Sequence, residues 1–374
     1  MKYCKKCLQT DTRPGIVFDD DGVCMACRNA EKRNNVDWHE RSRELDKIVM
    51  WAKSRSDGYD CAIGVSGGKD STFQALFARD QLGLRPLLVN CVPDGISEPG
   101  KKNIENLVQH GFDLVTIRPN PKVERYLSKV AFFKYGNFVK PLEYPLYAST
   151  YRVALEKGIP LVIQGENDAD VFGVDKLEPG PDAMHWAEVD TVGGGDASDW
   201  VDGNITFEDV LPYQFPSVPD MLARGMRAIF LEYYVNEWSP FKNTEFSRKH
   251  GLVGRENHDP LKTGKINRFS SLDADLKIVN QMIKYYKFGF GACSDEVNNA
   301  IREGLMTRDQ GIYLLERYDG KCSDEYIHKF CEYIDITIQE FWEVFDRYVN
   351  KDLFMYDDLL GTWVPQFVVG DYHG

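Results

Sequence analysis

Cys61-Ala62-Ile63-Gly64-Val65-Ser66-Gly67-Gly68-Lys69-Asp70-Ser71 is the stretch whose reading decides the fold. Its first five residues form a short apolar run, and Thr72 to Leu82, closed by Gly83, carries the apolar spacing of an amphipathic helix. The pattern predicts strand, tight turn, helix. Gly67 and Gly68 lack a Cβ, so their backbone N–H groups can close on a bound anion. Ser66 and Ser71 add hydroxyl donors, and the helix aims the positive end of its dipole at the same spot. Such a device holds phosphate. It is not a Walker loop, which has a longer glycine-rich turn ending in Lys-Ser/Thr. The competing reading is an ordinary glycine-rich strand-to-helix turn.

Downstream, strand patterns occur at Leu87 to Cys91, Asp113 to Ile117, Ile159 to Ile163 and Ala228 to Tyr233. Helical patterns separate them, at Lys101 to His110, Val123 to Tyr135 and Pro145 to Lys157, with another from Pro240 to His250. This alternation predicts an α/β fold with a parallel sheet covered on both faces. Ligands of such sheets lie beyond the carboxyl ends of the strands. Three segments should therefore converge: Ser66–Ser71, Asn90–Gly95 and Gln164–Asp168. Asn90, Gly165 and Glu166 become nucleotide-site candidates. Glu166, Asp168 and Asp170 form an acidic cluster that reads either as a magnesium or substrate site or as a solvated loop. Arg255, His258, Lys262, Lys265 and Arg268 are the best basic patch in the chain, suited to a triphosphate or an acidic sugar; the alternative is a solvated stretch. Lys262 and Arg268 join the nucleotide-binding candidates. Residues 174–216 contain Pro179-Gly180-Pro181, Gly193-Gly194-Gly195 and many acids, with Trp186 and Trp200 arguing against simple disorder. The expectation there is a lid over nucleotide or acceptor.

Upstream, Cys4-x2-Cys7 and Cys24-x2-Cys27 form two knuckles that can present four thiolates to one tetrahedral zinc. An iron–sulfur cluster is the main rival. With every ligand a cysteine the site is closed, so it reads as structural. The module is too small for a core of its own, and metal binding would supply its folding free energy. The expected organisation is a Cys4 zinc module over 1–35, a connecting helix over 36–58, an ATP-binding domain over 59–260 with its insertion at 174–216, and a helical region over 261–374. In that last region, segments near 272–288, 294–303, 307–318, 323–334 and 337–349 have helical spacing, with Thr307 and Ser323 as N-caps. Cys293, Cys322 and Cys331 lack metal spacing and read as packing residues.

The chain has 374 residues, enough for two or three domains. Its net charge of −13 argues against a long nucleic-acid footprint. No apolar run suits a membrane span and the first residues have no apolar signal region, so a cytoplasmic location is expected.

Ser-Gly-Gly-Lys-Asp-Ser resembles the pyrophosphate loop (PP-loop) of the ATP pyrophosphatase superfamily, whose fold is HUP-like, or adenine nucleotide alpha hydrolase-like. Further parts narrow the resemblance: the Cys4 knuckles, Gln164-Gly165-Glu166-Asn167, Tyr285 to Phe290 (Tyr-x-Lys-Phe-Gly-Phe), Arg302-Glu303-Gly304-Leu305-Met306-Thr307-Arg308 and Phe341-Trp342. In this order they resemble the N-acetyl sugar amidotransferase family of bacterial surface-polysaccharide biosynthesis, including lipopolysaccharide O-antigen. The resemblance spans nearly the whole chain, the 174–216 stretch matching least. It implies ATP-dependent conversion of an acetamido group on a nucleotide-linked sugar to an acetamidino group, through an O-adenylyl imidate, with release of AMP and pyrophosphate. Ser66, Gly67, Gly68 and Ser71 would cradle pyrophosphate and Asp70 would hold magnesium, while Lys69 either assists or points to solvent. No glutaminase nucleophile is visible: Lys2 follows Met1 and no Gly-x-Cys-x-Gly elbow occurs. The resemblance implies separate ammonia-supplying partners related to the glutaminase and cyclase of histidine biosynthesis. The rival readings are a tRNA-modifying enzyme with the same loop, which thiolates or lysylates a base, and a zinc-bearing scaffold that no longer turns over ATP.

Overall fold

The computed structural model describes residues 1–174, 180–185 and 196–372. Five strands form one parallel sheet: β1 (Cys61–Gly64), β2 (Pro86–Cys91), β3 (Asp113–Ile117), β4 (Leu161–Gln164) and β5 (Arg227–Phe230). Their order is β3-β2-β1-β4-β5. Cys61 stands opposite Pro86 on one side and Leu161 on the other. The chain thus reverses its direction of travel across the sheet at β1, which opens a crevice at the carboxyl end of that strand. Every residue of β2 is buried, as a strand covered on both faces requires. The α/β class and all five expected strands are present.

Helices α1 (Met25–Arg33) and α2 (Trp38–Arg55) precede the sheet. Within it run α3 (Lys69–Asp80), α4 (Glu98–Gln109), α5 (Pro121–Tyr135), α6 (Lys140–Lys157), the single turn α7 (Asp168–Phe172), α8 (Val218–Ala223) and α9 (Pro240–Lys249). On one face Leu45 and Val49 of α2 pack with Phe73 and Leu76 of α3, Leu107 of α4 and Trp238. On the other, Tyr151, Val153 and Ala154 of α6 pack with Met221 and Met226. α5 and α6 end at Gly136 and Gly158, both in the left-handed region, whereas α3 stops at Asp80, short of Leu82.

The insertion's residues 196–213 bury Ala197, Trp200, Ile205, Val210 and Tyr213 against Val123, Leu127 and Ala131 of α5 and Tyr144 of α6, forming a flap packed on that helix pair. Gly180, earlier in the insertion, lies by the start of α7, its carbonyl accepting from Asn167 Nδ2 at 3.2 Å. Trp186 and Gly193–Gly195 lie outside the described residues.

After the short α10 (Pro260–Thr263) come α11 (Lys277–Phe288), α12 (Ala292–Arg302), α13 (Arg308–Tyr318), α14 (Asp324–Ile334) and α15 (Ile338–Tyr348). Phe330, Phe341 and Phe345 close a core that also takes Phe132 of α5 and Phe138. Thr307 caps α13 in a full capping box and Thr337 does the same for α15. Ser323 precedes α14 as expected, but its side chain makes no capping bond. A hairpin, β6 (Phe354–Asp357) and β7 (Thr362–Pro365), follows where only helix was anticipated; four-residue strands leave too short an alternation to read.

Candidate active site

Gly67 has φ +76°, and a Cβ there would lie 2.7 Å from the Gly100 carbonyl oxygen, so the turn admits only glycine. Gly68 is the extended N-cap residue of α3. Asn103 of α4 pins the turn by donating from Nδ2 to the Gly67 carbonyl at 2.9 Å. The Ser71 hydroxyl donates to the Gly68 carbonyl at 3.2 Å. Asn90, at the end of β2, is buried and donates to the Val65 carbonyl at 2.6 Å. It shapes the end of β1 next to the turn.

Asp70 is held on both oxygens. Lys69 Nζ lies 2.5 Å from Oδ2, and Asn243 Nδ2 of α9 donates to Oδ1 at 3.0 Å. Ser247, one turn along α9, donates to the Lys69 carbonyl at 2.7 Å. Burial alone would lower the proton affinity of Lys69, but Asp70 and Glu166 outweigh it and hold Lys69 above the ordinary lysine value. Lys69 therefore points inward, at carboxylates. Glu166 follows Gly165, where a Cβ would meet Gln74 Nε2 at 3.0 Å and the Trp238 ring at 3.4 Å. Trp238 Nε1 donates to Glu166 Oε1 at 3.0 Å. Burial, reinforced by Asp70 and opposed by Lys69, pushes the Glu166 carboxyl up to about 7. Glu232, after β5, accepts the Asn167 backbone N–H and is raised well above the usual range by burial and then by Glu166.

Glu166 also faces a cleft of about 600 Å³ beyond the carboxyl ends of β4 and β5. The α1 helix forms one wall; Trp238, the start of α9 and the end of α12 form the other. Asp170, Glu232 and Glu303 contribute carboxyls, and Lys32, Arg33, Arg41, Lys242 and Arg302 contribute cations. Burial raises the proton affinity of both Asp170 and Glu303. The structure thus brings Ser66–Ser71, Asp70, Lys69, Gly165 and Glu166 together, and Asp170 joins them through the cleft. Asp168 sits in the first turn of α7.

The basic stretch is corrected. Arg255 is buried and pairs with Asp275 at 2.9 Å, its other donors going to the Ser270 and Ser271 carbonyls. Lys265 is fully buried, and its ammonium is lowered to about 7 chiefly by burial. These two cations belong to the interior, so the five residues do not make one patch. Lys262 and Arg268 are exposed, and neither is among the residues lining the cleft.

Sequence reasoning missed Asn103, Asn243, Trp238, Glu232, Arg33 and Arg41. Asn243 and Ser247 could have been noticed, as two polar residues four apart on the face of α9 that packs on α3.

The four knuckle cysteines are buried, and their sulfurs all lie within 4.8 Å of one another. Cys4 and Cys27 are 3.9 Å apart, Cys7 and Cys24 3.6 Å. Four sulfurs bound at about 2.3 Å to one tetrahedral ion would stand about 3.8 Å apart, so the donors fit a single metal. Backbone N–H groups of Lys6 and Cys24 point at Cys4 Sγ (3.4 and 3.3 Å), and that of Gln9 at Cys7 Sγ (3.4 Å). Cys24 is the N-cap of α1 and Cys27 lies on it, so the same helix carries two ligands and one wall of the cleft. Arg308 clamps the module to the helical region through the Cys4 and Cys7 carbonyls. Among the described residues no helix is long and apolar enough to cross a membrane.

Residues 263–366 match the family model of the LPS biosynthesis protein WbpG-like, C-terminal domain. No curated protein matches the chain. Among solved structures, NMN synthetase from Francisella tularensis is 19% identical, with 60% of this chain and 100% of that one covered, at a TM-score of 0.27. The U34-tRNA thiolase NcsA from Methanococcus maripaludis, described with its [4Fe-4S] cluster, is 12% identical over 74% and 80% of the two chains, at 0.32. A predicted subunit of tRNA methyltransferase from Methanocaldococcus jannaschii is 12% identical over 50% and 75%, at 0.26.

Proposed function

From the match of residues 263–366 to WbpG-like lipopolysaccharide-biosynthesis proteins, we propose that the chain is an ATP-dependent amidotransferase acting on a nucleotide-linked N-acetyl sugar in surface-glycan biosynthesis. The observation that carries this reading is that match, on a chain whose phosphate loop adjoins a substrate-sized cleft through Glu166. An amide oxygen is a poor leaving group. Attack of that oxygen on the α-phosphorus of ATP forms the O-adenylyl imidate and releases pyrophosphate. Ammonia then adds to the imidate carbon, loses a proton, and the C–O bond breaks to release AMP and leave the amidine.

The chain's own work is positioning and charge. The N–H groups of Gly67 and Gly68, the Ser66 and Ser71 hydroxyls and the α3 terminus hold the departing pyrophosphate. Asp70 is the residue that would hold magnesium, which when bound neutralises triphosphate charge. Lys69 stands beside the Asp70 carboxylate, where its charge would also face the phosphates of a bound nucleotide. Exposed Lys262 and Arg268 would serve as outer phosphate contacts. Glu166, with its proton affinity near neutrality, is suited to take the proton that ammonia sheds. Cys4, Cys7, Cys24 and Cys27 would hold a structural zinc, since a four-iron cube spreads its thiolates farther apart than these sulfurs are. Ammonia comes from a separate glutaminase with a cyclase-like partner, and the setting is the cytoplasm.

The test is mass spectrometry of reactions containing diacetamido nucleotide sugars, ATP, magnesium and an ammonium salt. The expected product has one oxygen replaced by NH, with equimolar AMP. No AMP with any acetamido sugar nucleotide, from protein that binds ATP, removes the reading.

A further inference from the structure

Two arginines on the α1–α2 wall of the cleft make no ion pair with a carboxylate among the described residues. Arg33 donates from Nη1 to the Glu232 carbonyl at 3.2 Å and from Nη2 to the Val235 carbonyl at 3.1 Å, and its guanidinium lies over the Trp38 ring at 4.8 Å. Arg41 donates from Nη1 to the Tyr233 carbonyl at 2.6 Å and stacks on the Tyr233 ring at 3.6 Å. Neither forms an ion pair among the described residues, whereas Arg13, Arg28, Arg79, Arg85 and Arg255 all do. Carbonyls and aromatic faces fix a guanidinium without cancelling its charge. A guanidinium carries five N–H donors; Arg33 commits two and Arg41 one to these carbonyls. Exposed Lys32 and Lys242 line the same cleft, also without an ion-pair partner among the described residues. In a chain of net charge −13, these four cations share one cleft with Asp170, Glu232 and Glu303 but form no ion pair with them, so their free N–H donors stay available to an incoming anion.

We propose that Arg33 and Arg41 form a diphosphate subsite that grips the nucleoside-diphosphate arm of the acceptor. This rests on the reading of the acceptor as a nucleotide-linked sugar and adds to it where that arm is held. The subsite is separate from the Ser66–Ser71 loop, which takes the phosphates of ATP. It places the carrier on the α1–α2 side, leaving the sugar to reach toward Glu166 on the opposite part of the cleft. Two fixed guanidiniums match the paired charges of a diphosphate better than a lone carboxylate.

The experiment is isothermal titration with UDP, GDP, CDP and dTDP, in saturating α,β-methylene-ATP and magnesium so that the ATP loop is filled. The wild type should bind at least one of them, more weakly as salt rises. Arg33→Gln and Arg41→Gln should each weaken that binding tenfold or more, with affinity for α,β-methylene-ATP within twofold of wild type. Arg43→Gln, on an exposed position of α2, should bind as wild type. If Arg33→Gln does not fold, Arg41→Gln and the exposed Lys242→Gln decide the matter. No diphosphate bound by the wild type, or unchanged binding by the arginine variants, overturns the subsite. A wild type that binds a diphosphate through Arg33 and Arg41 but makes no AMP from any acetamido sugar removes the amidotransferase reading and leaves the subsite standing.

Discussion

Asp70 has a demand made on it from each side, by Lys69 and by Asn243. Asp70→Asn keeps the shape and can still bond to Asn243, at the cost of the ion pair with Lys69 and of one favourable charge in the first turn of α3, the latter about 0.3–1 kcal/mol. AMP formation should be abolished while thermal unfolding moves by only a few degrees; full activity in a destabilised variant would show that Asp70 is merely a helix-end residue. Gly67→Ala places a Cβ 2.7 Å from the Gly100 carbonyl at a left-handed φ. The left-handed strain alone is worth about 1–2 kcal/mol. Loss of α,β-methylene-ATP binding in calorimetry should accompany it. Glu166 supplies a pH dependence. Folding raises its proton affinity from 4.5 to about 7, so its contribution to stability is complete below about pH 4.5 and lost as pH rises through 7. The ligand-free Glu166→Gln variant should therefore gain in Tm relative to wild type as pH goes from 4.5 to 8; a constant gap would show that burial does not raise this carboxyl. Ser66–Ser71 was legible in the sequence because the whole device is contiguous. Asn243, Trp238 and Arg33 were not, because nothing local marks a side chain whose partner lies far along the chain.

At the scale of elements, α1 joins the four-cysteine cluster to the wall of the cleft. It begins after Cys24 and ends at Arg33, and Asn29 ties it to α7 through the Ala169 carbonyl at 3.1 Å. The sequence showed the knuckles but not this helix, because a nine-residue polar segment with one cysteine carries no clear apolar stripe. The five strands were readable for the opposite reason, as short, largely apolar runs bounded by Gly and Pro. The flap was unreadable, since its anchors Trp200 and Tyr213 are scattered through loop composition. Metal analysis of purified protein should give one zinc per chain with little iron. Chelation should raise hydrogen exchange over 25–33 and 168–173 while β1, β2 and β4 stay protected, because the sheet has its own core. Uniform loss of protection would instead make the metal a global stabiliser.

For the whole molecule, the telling quantity is the source of ammonia. The isolated chain should use ammonium salts, with rates rising with pH as free ammonia increases, and should fail with glutamine. A separate glutaminase should restore glutamine use, passing ammonia directly and sparing the imidate from water. Robust glutamine-dependent AMP and amidine formation by the highly purified single chain would reveal a glutaminase site within it.

The clamp between the knuckles and α12–α13 has a consequence for how the protein is made. Leu8 N–H bonds to Asn298 Oδ1 at 2.7 Å, and Arg308 holds the Cys4 and Cys7 carbonyls. The knuckle segment is thus completed by residues that lie 290 positions further along the chain and are translated on the order of 15–60 s later, at about 5–20 residues per second. During that interval its thiols stand without their neighbours, open to oxidation or to the wrong ion. Early metal capture protects them, and cells starved of zinc during synthesis should accumulate chains damaged at these cysteines, not at the sheltered Cys61 of β1.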